Sequence, residues 1–197
     1  MKKILISLTA AALMLLMCIS LASPALAAGT APIAENLEIK TYRNVSVGGK
    51  MSAYDPDDDV VSYEITTQPV KGKIVQGEEG SFTYTPNDNK RGKDYFGYKA
   101  VDAEGNVSQE ATVIIRIEKQ KKDVCYEDME GRAEEYAAVA LSENNIFTAE
   151  MIGGEYCFGP EKTVSRGEFL SMCMLTAGEP LINGVMSTGY EDVDAMP

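Results

Sequence analysis

The chain has 197 residues, 18 basic and 30 acidic side chains, a net charge of −12, and neither histidine nor tryptophan. Without an imidazole there is no Ser-His-Asp triad, no Cys-His pair and no His-ligated zinc or haem, and the negative charge argues against phosphate-directed nucleic-acid binding, which needs clustered Lys and Arg. A hydrophobic share of 45% with 24% charged residues is that of ordinary folded protein, and the length fits one domain or two small ones.

Lys2 and Lys3 precede an apolar run from Ile4 to Ala22, Pro24 breaks it, and Ala25-Leu26-Ala27 forms an A-x-A cleavage signature. Residues 1–27 read as a secretory signal peptide. The alternative is an uncleaved membrane anchor, since the run approaches the ~20 residues that span a bilayer. Cys18 is preceded by Leu15-Leu16-Met17 rather than by the small residues expected before a lipid-modified cysteine. The remaining cysteines are Cys125, Cys157 and Cys173, an odd number that leaves at least one thiol unpaired. A Cys125–Cys157 bridge is open on sequence grounds, but three small apolar core residues is the preferred reading. No later apolar run reaches spanning length, so the mature chain is expected to be secreted and free of the membrane.

Charge and period both change near residue 120. Residues 29–122 carry 13 basic and 15 acidic residues, and residues 123–197 carry 3 and 15. Apolar residues alternate before this point and recur at helical spacing after it. Residues 118–123 therefore read as a linker between two domains.

Seven short runs rich in β-branched and aromatic residues predict strands at Leu37–Arg43, Val45–Ala53, Val60–Thr66, Lys73–Gln76, Ser81–Thr85, Tyr95–Asp102 and Ala111–Glu118, separated by Gly, Pro, Asn and Asp turns. Seven strands in so short a segment predict an Ig-like β-sandwich. Alternation places Phe82 and Tyr84 on one face, Phe96, Tyr98 and Ala100 on another, and Val113, Ile115 and Ile117 inward on the last strand. The series Asp55-Pro56-Asp57-Asp58-Asp59, Tyr63-Glu64-Ile65, Gly80-Ser81-Phe82-Thr83-Tyr84-Thr85-Pro86-Asn87, Tyr95-Phe96-Gly97-Tyr98 and Asp102-Ala103-Glu104-Gly105-Asn106 resembles a bacterial cadherin-like, Ig-like repeat over residues 32–117. The resemblance implies a spacer or adhesive unit rather than an enzyme. Asp55, Asp57 and Asp59 alternate, so an extended backbone would line them up on one side, and Asp102 lies in a matching turn. Together these four form a candidate Ca²⁺ site of hard oxygen donors. The alternative is a solvated turn in which Asp55 caps its own backbone.

Beyond the linker, Ala133, Tyr136, Ala137, Ala140 and Leu141 predict a helix from about Gly131 to Glu143, stopped by Asn144-Asn145. A second helix is predicted from Ser165, with Phe169, Met172, Cys173 and Thr176 inward and Gly178 and Pro180 ending it. Ser165 and Glu168 have capping-box spacing, a structural role. Arg166 in the first turn opposes the helix dipole, a placement that an anionic ligand or neighbouring carboxylates would offset. Tyr126-Glu127-Asp128, Phe158-Gly159-Pro160 and Ser165-Arg166-Gly167-Glu168-Phe169 resemble an S-layer homology repeat, although the usual Trp of the first helix is absent and Gly167 stands where Ala is usual. The resemblance covers residues 124–178 and implies a helical hairpin that attaches proteins to anionic cell-wall polysaccharide, with Arg166 at the polymer and Lys162 beside it. Tyr126-Glu127-Asp128-Met129 recurs as Tyr190-Glu191-Asp192-Val193, which predicts an incomplete second repeat at residues 188–197 and a longer parent protein.

The expected architecture is thus a two-domain, all-β plus all-α chain: signal peptide 1–27, Ig-like β-sandwich 32–117, linker 118–123 and helical S-layer homology repeat 124–180. The expected function is non-enzymatic attachment at the cell wall and cell surface, with the sandwich as spacer or adhesive unit. The alternative is a calcium-dependent adhesion module whose helical segment is only structural. No cofactor other than calcium is expected.

Overall fold

The computed structural model describes residues 29–179. The expected signal peptide, Pro180 and the second Tyr-Glu-Asp motif lie outside the described residues.

Nine strands build the first part: β1 Ile33–Ala34, β2 Leu37–Tyr42, β3 Val47–Lys50, β4 Ala53–Tyr54, β5 Val60–Thr67, β6 Gly72–Gln76, β7 Ser81–Pro86, β8 Gly92–Asp102 and β9 Ala111–Glu118. They form a four-stranded sheet, β2-β9-β8-β5, a three-stranded sheet, β3-β7-β6, and a small β1-β4 pair. β2 runs parallel to β9, while the other pairs are antiparallel. The alternation read from the sequence sets the inward faces. Phe82, Tyr84, Phe96, Tyr98, Val113, Ile115 and Ile117 are all buried in one core, and Phe82 meets Phe96 edge to face at 5.1 Å.

The run expected as one strand, Val45–Ala53, is two. Between β3 and β4 the chain changes sheets at Met51 and Ser52. The Met51 N–H bonds the Gly80 carbonyl at 2.8 Å, and the Ser52 N–H donates to the buried Tyr98 hydroxyl at 3.3 Å. Tyr84 is also tied by its polar end, donating to Asp94 at 2.8 Å. Asp94 in turn accepts from the Val70 and Lys71 amides, so the buried carboxylate is fully used and pins the β5–β6 loop.

The second part contains a 3-10 turn at Glu127–Met129, helix α1 (Glu135–Glu143), the hairpin β10 (Glu150–Ile152) and β11 (Glu155–Cys157), and helix α2 (Arg166–Thr176). α1 starts four residues later than predicted, after Gly131 has turned the chain through φ +75°. Its buried face is Glu135, Ala138, Val139 and Ser142; of the stripe Ala133, Tyr136, Ala137, Ala140 and Leu141 read from the sequence none is fully buried, though Tyr136 packs against both cores. The face is rotated because Glu135 is drawn inward to serve backbone donors. Asn145 adopts φ +58° at the end of α1, the left-handed stop expected of it.

This part is joined to the sandwich through a dense seam at β3. The Gly48 N–H donates to the Ala133 carbonyl at 2.7 Å, and the Tyr136 N–H donates to the Ser46 carbonyl at 3.0 Å. The buried Glu135 carboxylate accepts from Ser46 N–H at 3.0 Å and Gly131 N–H at 2.9 Å. Val45 belongs to the core of the second part, with Val124, Tyr126, Met129, Ala138 and Val139, and Tyr42 packs on Tyr136 with ring centres 5.3 Å apart. Gly48 is needed here, because a Cβ would stand 2.7 Å from Ala133 Cβ. The linker is also tied down: the Lys121 and Lys122 amides donate to Glu143 at 2.8 and 2.7 Å.

α2 differs from expectation. None of its residues is buried, Phe169 is 63% exposed and Leu170 61%. An open cavity of about 490 Å³ lies between its inner side and Leu141, Phe147 and Phe158, so the helix borders a gap rather than a packed core. Cys125 and Cys173 are exposed and Cys157 is half-buried, and all three are free thiols. The core placement expected for them therefore does not hold. Cys125 faces out because its neighbours Val124 and Tyr126 take the inward positions, and Cys173 because α2 buries nothing.

Candidate functional site

Two turns meet at one end of the sandwich. β8 ends at Asp102, and β5 begins opposite it, with Val60 in register with Asp102. The turn before β5 is shaped by Asp55, whose Oδ1 accepts the Asp57 N–H at 2.8 Å while its carbonyl accepts the Asp58 N–H at 3.3 Å. Asp58 takes φ +58°, which Asp tolerates better than most side chains. The turn after β8 is held by Asp102, whose two carboxylate oxygens accept Asn106 N–H at 2.7 Å and Asn106 Nδ2 at 2.8 Å.

The outcome is a cluster of three carboxylates. One oxygen each from Asp55, Asp59 and Asp102 lies within 4.8 Å of the others. Asp55 is 8% exposed and Asp102 2%. Asp55 Oδ2 and Asp59 Oδ1 are buried atoms without a hydrogen-bond partner. A buried carboxylate oxygen without a donor is costly, and a cation is one remedy. Glu104 joins the group: its hydrogen bond to the Asp59 carboxyl, reinforced by burial and by the charges of Glu104, Asp55 and Asp102, pushes Asp59 up to about 6. Burial also pushes Asp102 upward, but the Asn106 side chain and the backbone amides of Asn106, Gly105 and Glu104 outweigh it and leave the carboxyl below its ordinary range.

Asp57 stands apart from the three. The backbone here is a turn, not an extended strand, so alternation does not hold, and Asp57 Oδ2 instead accepts the Thr30 N–H at 2.8 Å. The turn-capping reading of Asp55 is met by Oδ1, while Oδ2 has no hydrogen-bond partner. Glu104 was not singled out by sequence, although its place two residues after Asp102 in the same turn was the available signal. The donor set is all hard oxygen and fits Ca²⁺ better than any soft metal.

The second candidate lies at the start of α2. The Ser165 hydroxyl accepts the Glu168 N–H at 3.2 Å and Glu168 Oε2 accepts the Ser165 N–H at 2.8 Å, a complete capping box. Hydrogen bonding of the Glu168 carboxyl to the Ser165 N–H and then to the Ser165 side chain, more than the nearby Lys162 charge, holds it below its usual range. Arg166 is exposed, and the ion pairs among the described residues, Lys50–Glu79, Arg116–Glu38 and Arg132–Glu161, do not include it. Lys162 lines the cavity beside Glu168. Arg132 meets Glu161 at 3.4 Å.

The motif Tyr126-Glu127-Asp128 acquires a physical role. Asp128 accepts the Phe158 and Gly159 amides at 2.8 and 2.7 Å, and the fully buried Tyr126 packs edge to face on Phe158 with ring centres 5.4 Å apart. The acidic motif therefore holds the Phe158-Gly159-Pro160 element in front of α2.

Residues 29–119 match the family model of the bacterial cadherin-like domain. The acidic cluster belongs to this cadherin-like segment, while Arg166 and the cavity lie beyond it. A search of curated proteins found no match. Similar solved structures include an endo-fucoidan hydrolase of glycoside hydrolase family 107 (TM-score 0.36, 19% identity, 47% of this chain and 14% of that one). They also include a mutant SrpA adhesin from Streptococcus sanguinis (TM-score 0.38, 21% identity, 50% of this chain and 64% of that one). A third is human protocadherin-24 EC1-2 (TM-score 0.37, 18% identity, 46% of this chain and 53% of that one). The chain thus spans about one-seventh of the length of the hydrolase. Among the described residues, no helix is long and apolar enough to cross a membrane.

Proposed function

We propose that the chain is a secreted, non-enzymatic cell-surface protein whose cadherin-like segment is an adhesion-type module stiffened by calcium at Asp55, Asp59 and Asp102, with Glu104 at its edge. The observation that carries this reading is the pair of buried oxygens, Asp55 Oδ2 and Asp59 Oδ1, left without donors beside Asp102. A bound divalent cation would offset two of the three negative charges and lock the β4–β5 and β8–β9 turns together. Calorimetry and thermal melting of the mature chain with calcium test it. At calcium one hundred times its dissociation constant the gain is about 2.7 kcal/mol, and Asp59→Asn removes it. A melting point unmoved well above the ~1 mM dissociation constants of extracellular calcium modules would sink the reading.

A second function of the same chain is attachment to anionic cell-wall polysaccharide through the helical part. It is supported by Arg166, exposed at the first residue of α2, and by the resemblance of residues 124–178 to an S-layer homology repeat. The acidity of residues 123–197 rules out long-range attraction, so the contact is local and directional, as a bidentate guanidinium contact is. Lys162 adds a charge nearby. Sedimentation with purified cell walls reads it out: Arg166→Ala should lose binding, and equal binding by both forms removes Arg166 from the site.

A further inference from the structure

The outer face of the four-stranded sheet carries a band of positive charge at the end of β8 opposite the acidic cluster. Lys40 on β2 stands opposite Arg116 on β9, and Arg116 stands opposite Lys93 on β8. Their strand neighbours Ile39, Ile115 and Asp94 turn inward, so period-2 alternation puts all three cations on the solvent side. β5 pairs with β8 only from Gly97 onward. Lys71 fills the edge beyond Lys93, its Nζ donating to the Lys93 carbonyl at 2.7 Å and the Arg91 carbonyl at 3.3 Å. Lys40, Arg116, Lys93 and Lys71 therefore follow one another across the sheet, with paired strands about 4.8 Å apart.

Like charges directly opposite one another destabilise a sheet, and here two such pairs lie side by side. Little inside the chain offsets them. Glu38 takes a hydrogen bond from Arg116 Nε. That bond, joined against burial by the charges of Arg116, Lys93 and Lys40, holds the Glu38 carboxyl below its ordinary range, so one acid serves three cations. Glu118 follows two residues after Arg116 on the same face. Asp94, behind Lys71, is turned inward and spent on Tyr84 and two amides. The ion pairs among the described residues include neither Lys40 nor Lys93. Beside the band, Tyr95 is 47% exposed and stands in register with the half-buried Ile114, a flat apolar strip along its border. We infer that this face is a docking surface for a linear acidic polysaccharide, with carboxylate or sulfate groups along the cation band and a sugar ring resting on Tyr95. Cations set one per strand suit a charge repeated along a polymer, whereas a single small anion needs donors that converge. Single-stranded nucleic acid binds through successive aromatic platforms, and the band is bordered by one exposed ring. The surface is separate from Arg166 in α2 and from the acidic cluster, so it depends on neither reading given above.

The mature chain carrying Arg166→Ala, which silences α2, is titrated in chelator with polygalacturonate, dextran sulfate, neutral dextran and single-stranded DNA. At least one of the two acidic polysaccharides should bind at low salt and weaken as salt rises, and neutral dextran should not bind. Lys40→Gln with Lys93→Gln keeps the Arg116–Glu38 pair and should weaken that binding by about tenfold, or ~1.4 kcal/mol. The same double variant should melt no lower than its parent, because it relieves two like-charge pairs. Tyr95→Ala should weaken polysaccharide binding further. Failure of both acidic polysaccharides to bind, or equal binding by the double variant, overturns the inference. DNA bound as tightly as polysaccharide, with Tyr95→Ala without effect, overturns it in favour of plain ion exchange. A concentration-dependent dimer in sedimentation, lost in the double variant, overturns it in favour of a second copy of the chain. Binding that persists with Arg166→Ala and is lost in the double variant sustains it whether or not α2 attaches to cell walls.

Discussion

Glu135→Ala is the most informative perturbation of the seam between the two parts. The wild-type carboxylate is 2% exposed and accepts two backbone N–H groups, Ser46 at 3.0 Å and Gly131 at 2.9 Å. Truncation leaves both donors without an acceptor. The Ser46 donor is buried and loses the most, since an orphaned buried donor costs about 1–3 kcal/mol; the partly exposed Gly131 amide recovers part of its loss from water. Relief from holding a carboxylate out of water offsets some of this. That opposing term is visible in the Glu135 carboxyl itself, pushed up by burial despite the two amides. The net expectation is a destabilisation of about 2–4 kcal/mol, or a melting point lower by roughly 5–12 °C for a chain of this size. Differential scanning calorimetry gives the size of the effect, and amide exchange at Ser46, Gly48 and Tyr136 shows whether the seam has opened. A melting point within about 1 °C of wild type, with the Ser46 amide still protected, would refute the reasoning.

Two further outcomes follow from the same geometry. Asp59 is pushed up to about 6 by Glu104 and burial, so without calcium the folded state holds a proton that the unfolded state has released between about pH 4 and 6. Stability should fall as pH rises across that window, Asp59→Asn should flatten the slope, and calcium affinity should increase over the same range. Asp128→Ala removes the acceptor of two amides ahead of α2 and should destabilise the chain by about 2 kcal/mol, with the loss of protection confined to Phe158 and Gly159 and the loop that follows.

The sheet part was legible because its signal is local. Period-2 alternation fixes which face of a strand turns inward, and Phe82, Tyr84, Phe96, Tyr98, Val113, Ile115 and Ile117 obey it. The break at Met51 was not legible, since the cause is a partner, the Tyr98 hydroxyl, 46 residues away. The helical part misled for a related reason. Glu135 reads as a surface residue in any hydrophobic pattern, yet two backbone donors bring it inside and rotate α1 about its axis. In α2 the apolar spacing is present without a surface to receive it among the described residues. At the acidic end, Asp102 and the turn positions were visible, but the place of Asp57 was not, because alternation assumes an extended chain and Asp55 bends it. The capping box was legible in full, being a contact between residues three apart.

The seam at β3 bears on how this protein can be divided. The match to the cadherin-like family model ends at residue 119, whereas Val45 is a core residue of what lies past it and Gly48 is shaped to receive Ala133. A fragment excised at that boundary would uncover Val45 and one side of Tyr42, and would strand the Gly48 amide. It would be stickier and less stable than the same residues in place. The sensible cut for expression is after α2, where the chain has already closed over that corner.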